Sequence, residues 1–203
     1  MEHGIGAGVK PAPGEDVSSA LALVNTRVLH GGEPVDVIAE TVAAGRWLTA
    51  RGLIPANCPI SETEAAALRA VRDCIRGLLS ARTAARLPAA GDVGRLNATL
   101  AAAPPIPALA WDESGPRAEP VYAGGDMVGV ALSRLADDAL GLLAASGGAE
   151  PAPCGAHGCI RWFLRTHAAR QWCSTRCGDR VRAARHYARL HPGGESGAEV
   201  PGG

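Results

Sequence analysis

Apolar residues recur at helical spacing along most of this chain. Leu21, Val24 and Val28 space a short helix over residues 18–29, with serines able to cap its start and Gly31-Gly32 ending it. Ile38, Val42, Trp47 and Leu48 fall on or beside one stripe over residues 36–50, with Gly52 placed as a C-terminal cap. Ser61-Glu62-Thr63-Glu64 has the form of a capping box and opens the clearest helix. Its apolar face runs through Leu68, Val71, Ile75, Leu78 and Leu79, while Arg69, Arg72, Arg76, Arg82 and Arg86 point elsewhere, as a solvated face would. Residues 91–102 predict a further helix through Val93, Leu96 and Leu100, which Pro104, Pro105 and Pro107 stop. Val128, Leu132, Leu135, Ala139 and Leu142 form the best amphipathic stripe, over residues 126–145. Only residues 108–111 and 118–122 have strand character, and they flank residues 112–116 as a hairpin with a five- or six-residue loop would. The pattern predicts an α+β protein: a mainly α-helical N-terminal domain with a small β-hairpin, then a small C-terminal module.

Aromatic residues make up 3% of the chain, so the core must be built from Leu, Ala, Val and Ile. A length of 203 residues suffices for one good core and a small module. Residues 1–15 and 192–203 lack periodicity and are expected to be disordered. Residues 16–146 form the predicted body, residues 147–153 (GGAEPAP) a linker that lets the following module move, and residues 154–191 that module. No apolar run approaches the roughly 18 residues that cross a bilayer, and residues 1–16 lack the apolar stretch of a secretory signal. A cytoplasmic protein with no membrane partner is expected. Residues 1–150 hold no P-loop, no G-x-S-x-G and no H-E-x-x-H. The expectation is a binding protein with no catalytic residues, not an enzyme.

Four of the six cysteines fall as two pairs, Cys154 with Cys159 and Cys173 with Cys177, separated by a thirteen-residue spacer. Two thiolate pairs at such spacing are what a tetrahedral zinc site requires, and four cysteines fill the tetrahedron, leaving no position for a reactive water. One structural Zn2+ is the expected cofactor. Two disulfides would be the alternative in an oxidising compartment, and His157 or His167 could stand in for a cysteine. Cys58 and Cys74 stand apart without paired spacing. The packing of the module would come from Ile160, Trp162, Phe163, Leu164 and Trp172.

The second cysteine pair lies where a helix should begin, with Ser174 and Thr175 as capping residues and Val181, Ala184 and Tyr187 or Ala188 continuing to His191-Pro192. Unpaired N–H groups at a helix start favour thiolates there. Gly178 suits a backbone passing close to the metal. Between Pro151 and Pro192 stand eight arginines and one acid, Asp179, whereas residues 1–150 hold twelve basic and seventeen acidic residues. The formal neutrality of the chain conceals a basic module on an acidic body. Arg182, Arg185 and Arg189 lie at i, i+3 and i+7 and share one helix face, with Arg176 and Arg180 nearer the metal end. Guanidinium groups fork onto phosphate oxygens, so these five are the candidate nucleic-acid contacts. A solvated arginine face, or a surface for RNA or another protein, is the competing reading, and thiolates exposed to oxidant could make the module a redox switch.

Trp172-Cys173-Ser174-Thr175-Arg176-Cys177-Gly178-Asp179-Arg180, with Trp162-Phe163 and the arginine-rich helix, resembles the CGNR-type zinc finger of bacterial proteins regarded as stress-induced transcription regulators. Asp179 stands where that family has Asn, and the second pair is one residue shorter. Val24-Asn25-Thr26 is similar to the opening of the ABATE domain that accompanies this finger. The resemblance implies a treble-clef-like finger that binds DNA and a body that senses a small-molecule effector or forms a homodimer. It also makes Asn25 a candidate for ligand binding or for pinning a loop.

Overall fold

The computed structural model describes residues 10–144 and 149–191. Most of the two ends expected to be disordered (1–9 and 192–203) and part of the expected linker (147–148) lie outside the described residues.

The chain opens with α1 (Ser19–Val24), capped by the Ser18 hydroxyl, which accepts from the Leu21 N–H at 3.1 Å. The Asp138 carboxylate accepts from the Ala20 N–H at 2.7 Å and from the Ser18 hydroxyl. An anion at the unpaired N–H groups of a helix start is the arrangement the helix dipole favours. The helix ends far earlier than its apolar spacing predicts. Val28 belongs instead to β1 (Arg27–His30), which pairs antiparallel with β2 (Glu33–Asp36). Gly31 and Gly32 are the two-residue turn of that hairpin, both at positive φ, a backbone that tight two-residue hairpins use and glycine adopts without strain. Asp36 therefore sits in a strand, and α2 (Thr41–Ala50) starts later than the stripe suggests.

At the centre lies α3 (Glu62–Thr83), entered through the expected capping box: the Glu64 N–H donates to the Ser61 hydroxyl, and the Ser61 N–H donates to the Glu64 carboxylate. It packs against α1, α2, α4 (Asp92–Ala102) and α5 (Met127–Ala144). Leu21, Leu23, Leu68, Ile75, Leu79 and Leu135 are fully buried there. Each contributes about 1.5–3 kcal/mol by leaving water. Arg72, which the sequence places on a solvated face, is fully buried as well. Its guanidinium forks onto both Asp36 oxygens at 2.6 and 2.8 Å, and it also reaches Thr26 and Asp73, so the charge is buried only because it is paired.

Between α4 and α5 runs an antiparallel ribbon in which β3 (Pro105–Ile106) pairs with β6 (Val121–Tyr122) and β4 (Leu109–Asp112) pairs with β5 (Gly115–Ala118). Its loop is tighter than expected, with Glu113 and Ser114 alone between the strands. The Asp112 carboxylate holds that turn by accepting from the Ser114 N–H at 2.9 Å. In β4 and β5 the register puts Leu109 opposite Ala118 and Trp111 opposite Pro116, so one face of the ribbon is wholly apolar, and all four of these residues are exposed.

The C-terminal part consists of β7 (Glu150–Pro153), β8 (Trp162–Arg165) and α6 (Thr175–Leu190). Residues 150–153, expected as linker, are a strand that pairs antiparallel with β8. The module is fastened to the body. Strand alternation sends Trp162 into the core around α3, and Phe163 into a separate cluster with Ala12, Ala152, Ala156 and the cysteines. The sequence assigns Trp162 to the small module; it packs the body. Residues 10–15, expected to be disordered, lie along this seam: Ala12 is buried, the Pro13 carbonyl accepts from the Leu164 N–H at 2.7 Å, and Arg161 reaches Glu15 at 2.6 Å and the Lys10 carbonyl at 3.1 Å. Gly14 has positive φ, and a Cβ there would run into the Leu164 side chain. Arg76 donates to the Ile160 carbonyl at 2.7 Å, tying α3 to the same segment.

Candidate metal centre and basic helix

Cys154 follows β7, Cys159 precedes β8, Cys173 precedes the start of α6, and Cys177 lies in its first turn. A tight loop brings the first pair together: the Cys159 N–H donates to the Ala156 carbonyl at 3.1 Å, and Gly158 has φ +66. The second pair is set by the Ser174 cap, whose hydroxyl accepts from the Cys177 N–H at 3.2 Å. The halves are joined by the Gly155 N–H on the Gln171 carbonyl at 3.0 Å and by the Cys173 N–H on the Cys154 sulfur at 3.4 Å. All four Sγ atoms lie within 4.8 Å of one another, and Cys159–Cys173 and Cys173–Cys177 are both 3.7 Å apart. Zinc–sulfur bonds of about 2.3 Å in a tetrahedron place sulfurs about 3.8 Å apart, so the donor set fits zinc. His157 and His167 are not in this group.

The thiols share protons unequally. Hydrogen bonds from Cys159 and then Cys173 hold the Cys154 thiol far below its usual range. Donating to Cys154 pushes Cys159 up to about 11 and raises Cys173 as well. Four thiols gathered this closely, whose protons a divalent cation would displace, have the chemistry of a metal site. Arg180 adds a cation at 3.7 Å from the Cys177 sulfur. Gly178 turns its bare Cα toward the Trp172 ring, where a Cβ would lie 3.1 Å from Cε3; the close approach it permits is to this ring.

Beyond Val181 the whole of α6 is exposed. Arg182, Arg185 and Arg189 border one shallow concavity with His186 and Ala188. Arg176 and Arg180 fall on the other flank of the helix, as helical geometry requires. Arg182 is paired with Asp179 and lies 6.0 Å from the centre of the Trp172 ring, so it is held, while Arg189 folds back to the Arg185 carbonyl at 3.3 Å.

Asn25, a candidate for ligand binding or for pinning a loop, spends both amide N–H groups and one carbonyl lone pair on the protein itself. Its amide donates to the Trp162 carbonyl at 2.8 Å and to Glu15 at 2.6 Å, and its carbonyl accepts from the Trp162 N–H at 2.7 Å. It pins the module to the body. Its motif is visible in the sequence, but a partner 137 residues away is not. Cys74 is buried and bonded to the Asp92 carbonyl, and Cys58 lines a groove of about 710 Å³ between α2 and residues 56–60.

A four-thiolate zinc site closed by a hairpin and a helix makes the C-terminal part of this protein a zinc finger, joined to a helical body. Residues 152–190 match the CGNR zinc finger. Residues 18–146 match ABATE, described as "Putative stress-induced transcription regulator", and the chain belongs to that family. Neither family is an enzyme family. No curated protein matches the chain. Among the described residues, no helix is long and apolar enough to cross a membrane.

Proposed function

We infer that this protein is a cytoplasmic transcription regulator whose finger binds duplex DNA and whose body, residues 16–146, pairs two copies or senses a small effector. The observation that carries the reading is α6: a helix exposed on every side after Val181 and bearing Arg182, Arg185 and Arg189 on one face. An arginine-rich helix with no protein cover is suited to phosphate and to a groove. One zinc would be structural, since four thiolates leave it no open position. The apolar face of β4 and β5, with Trp111 72% exposed and Leu109 70% exposed, supports pairing with a second copy. Two copies double the number of phosphates that one small finger can reach. The groove beside Cys58, lined by Val42, Arg46, Asn57 and Ile60, supports effector binding.

The test is binding of the zinc-loaded protein to mixed-sequence duplex DNA across a salt series, with Arg182→Ala/Arg185→Ala/Arg189→Ala beside the wild type. The expected result is a steep salt slope that flattens by roughly 2–3 in the triple variant, about 0.9 for each phosphate that is no longer neutralised. Zinc-loaded protein that shows no salt-dependent binding to duplex DNA refutes the reading, and retention of RNA alone makes the finger an RNA module.

A further inference from the structure

The arginines of α6 are divided between two flanks, and what stands between them is specific. At about 100° per residue, Arg185 and Arg189 lie on one side of the helix, and Arg176 and Arg180 lie roughly 180° away. Cys177 is buried and Val181 partly buried midway between these flanks on the side turned to the finger's own core. The opposite midline, turned away from the protein, carries Asp179 and His186, with Arg182 beside them, all three exposed. These three are spaced i, i+3 and i+7.

We propose that α6 lies in the major groove of duplex DNA with Asp179, Arg182 and His186 facing base edges, while Arg185/Arg189 and Arg176/Arg180 touch phosphates of the two opposite strands. The proposal deepens the DNA-binding reading above and rests on it. A helix with side chains is about 10–12 Å across and the B-form major groove about 12 Å wide, so a helix that enters it has one phosphate row on each flank. That is the division seen here. The A-form groove of duplex RNA is too deep and narrow to be entered this way.

The midline residues have the chemistry of base readers. Arg182 is constrained twice, by its ion pair with Asp179 and by its place over the Trp172 ring. A guanidinium fixed in this way presents its fork with little ordering left to do, which suits paired acceptors such as O6 and N7 of guanine. Asp179 is the one acid on a helix of basic residues. Facing phosphate it would repel; facing a base edge it can accept from a cytosine amine while orienting Arg182. His186, next to it on the midline, can donate to or accept from a base.

The experiment uses the zinc-loaded full chain in selection from randomised DNA duplexes, together with the salt series, for wild type, Asp179→Ala, His186→Ala, Arg185→Ala/Arg189→Ala and Arg176→Ala/Arg180→Ala. Zinc content and helical signal establish that each variant is folded, which the exposure of these side chains favours. Asp179→Ala and His186→Ala are expected to lower discrimination about 5- to 100-fold at neighbouring positions of the selected site while keeping the salt slope. Each double arginine variant is expected to keep the selected sequence and lower the slope by about 2. The proposal is overturned if wild type selects no sequence, if selection survives intact in both midline variants, if the Arg176/Arg180 variant keeps the full slope, or if duplex RNA competes as well as duplex DNA. Failure of wild type to bind duplex DNA at any salt would refute the parent reading instead, before any variant is compared.

Discussion

Asn25 and the backbone of Trp162 exchange two hydrogen bonds, at 2.8 and 2.7 Å, across 137 residues of chain. The side chain thereby does for β8 what a neighbouring strand would do, satisfying both polar groups of a buried residue. It sits directly after α1, at the helix's C-terminal end. The position of the finger is thus written into the end of the first helix.

Asn25→Ala should leave a buried amide and carbonyl unpaired and lower stability by about 2–4 kcal/mol. Urea denaturation measures this. Asn25→Asp should not rescue it, because a carboxylate cannot donate to the Trp162 carbonyl and would stand beside Glu15. A residue needed only for a ligand would leave the midpoint unmoved.

Gly14→Ala tests the strap formed by residues 10–15. A side chain there is strained by the positive φ and meets Leu164, so the bond from the Leu164 N–H to Pro13 should weaken. Amide exchange at Leu164 is expected to quicken by about tenfold or more, roughly 1.4 kcal/mol, with core amides of α3 unaffected.

Removal of zinc by a strong chelator should unfold the finger and spare the body. Structural zinc sites supply on the order of 10 kcal/mol of folding free energy, and the cluster around Phe163 is small. Helical signal from α6 should disappear while α3 amides stay protected. Cys173→Ser should give the same result without chelator. Acid should also release the metal, since protons compete for the four sulfurs.

The Arg72–Asp36 pair predicts a stability loss in acid. Burial would raise the Asp36 carboxyl, but the hydrogen bonds and charge of Arg72, with the Ile38 N–H, outweigh it and hold the group below its ordinary 3.8. A depressed carboxylate stabilises the fold fully above the unfolded value, and that contribution is lost as pH falls through the lower folded value. Asp36→Asn should flatten the fall in stability below about pH 4. At neutral pH it should cost up to about 3–5 kcal/mol, because the buried Arg72 then keeps Asp73 alone as its counter-charge. Thermal melts between pH 2 and 7 check both effects.

If the apolar face of the ribbon pairs two copies, Trp111→Ser should lower the mass seen by sedimentation from dimer to monomer. Zinc content and the melting of the body should be unchanged, since Trp111 is not part of the buried core.

Much of this architecture is legible in the sequence, for identifiable reasons. The capping box and long stripe of α3, the stripe of α5 and the spacing of the four cysteines are local signals, each complete within a few turns of chain. What the sequence hides is set by distant partners or by weak alternation. Glu33-Pro34-Val35-Asp36 carries no clear period, so Gly31-Gly32 reads as a helix stop, although both occupy a turn. Arg72 can be recognised as buried only once Asp36 is known to face it. Lys10 to Glu15 has no periodicity to detect, because it is held through backbone carbonyls, the Glu15 carboxylate and one glycine. The divided packing of Trp162 and Phe163 follows from strand alternation, but only after residues 150–153 are known to pair with β8.

That division limits how such proteins can be taken apart or recombined. Trp162 and Phe163 are adjacent in one strand yet belong to two cores, so the seam between body and finger passes through a single peptide bond of β8. A cut before Cys154 would leave the body with an empty socket and the finger with a bare indole. A graft of this finger onto another body would succeed only where the recipient brings its own hole for Trp162, its own amide in the place of Asn25 and its own strap.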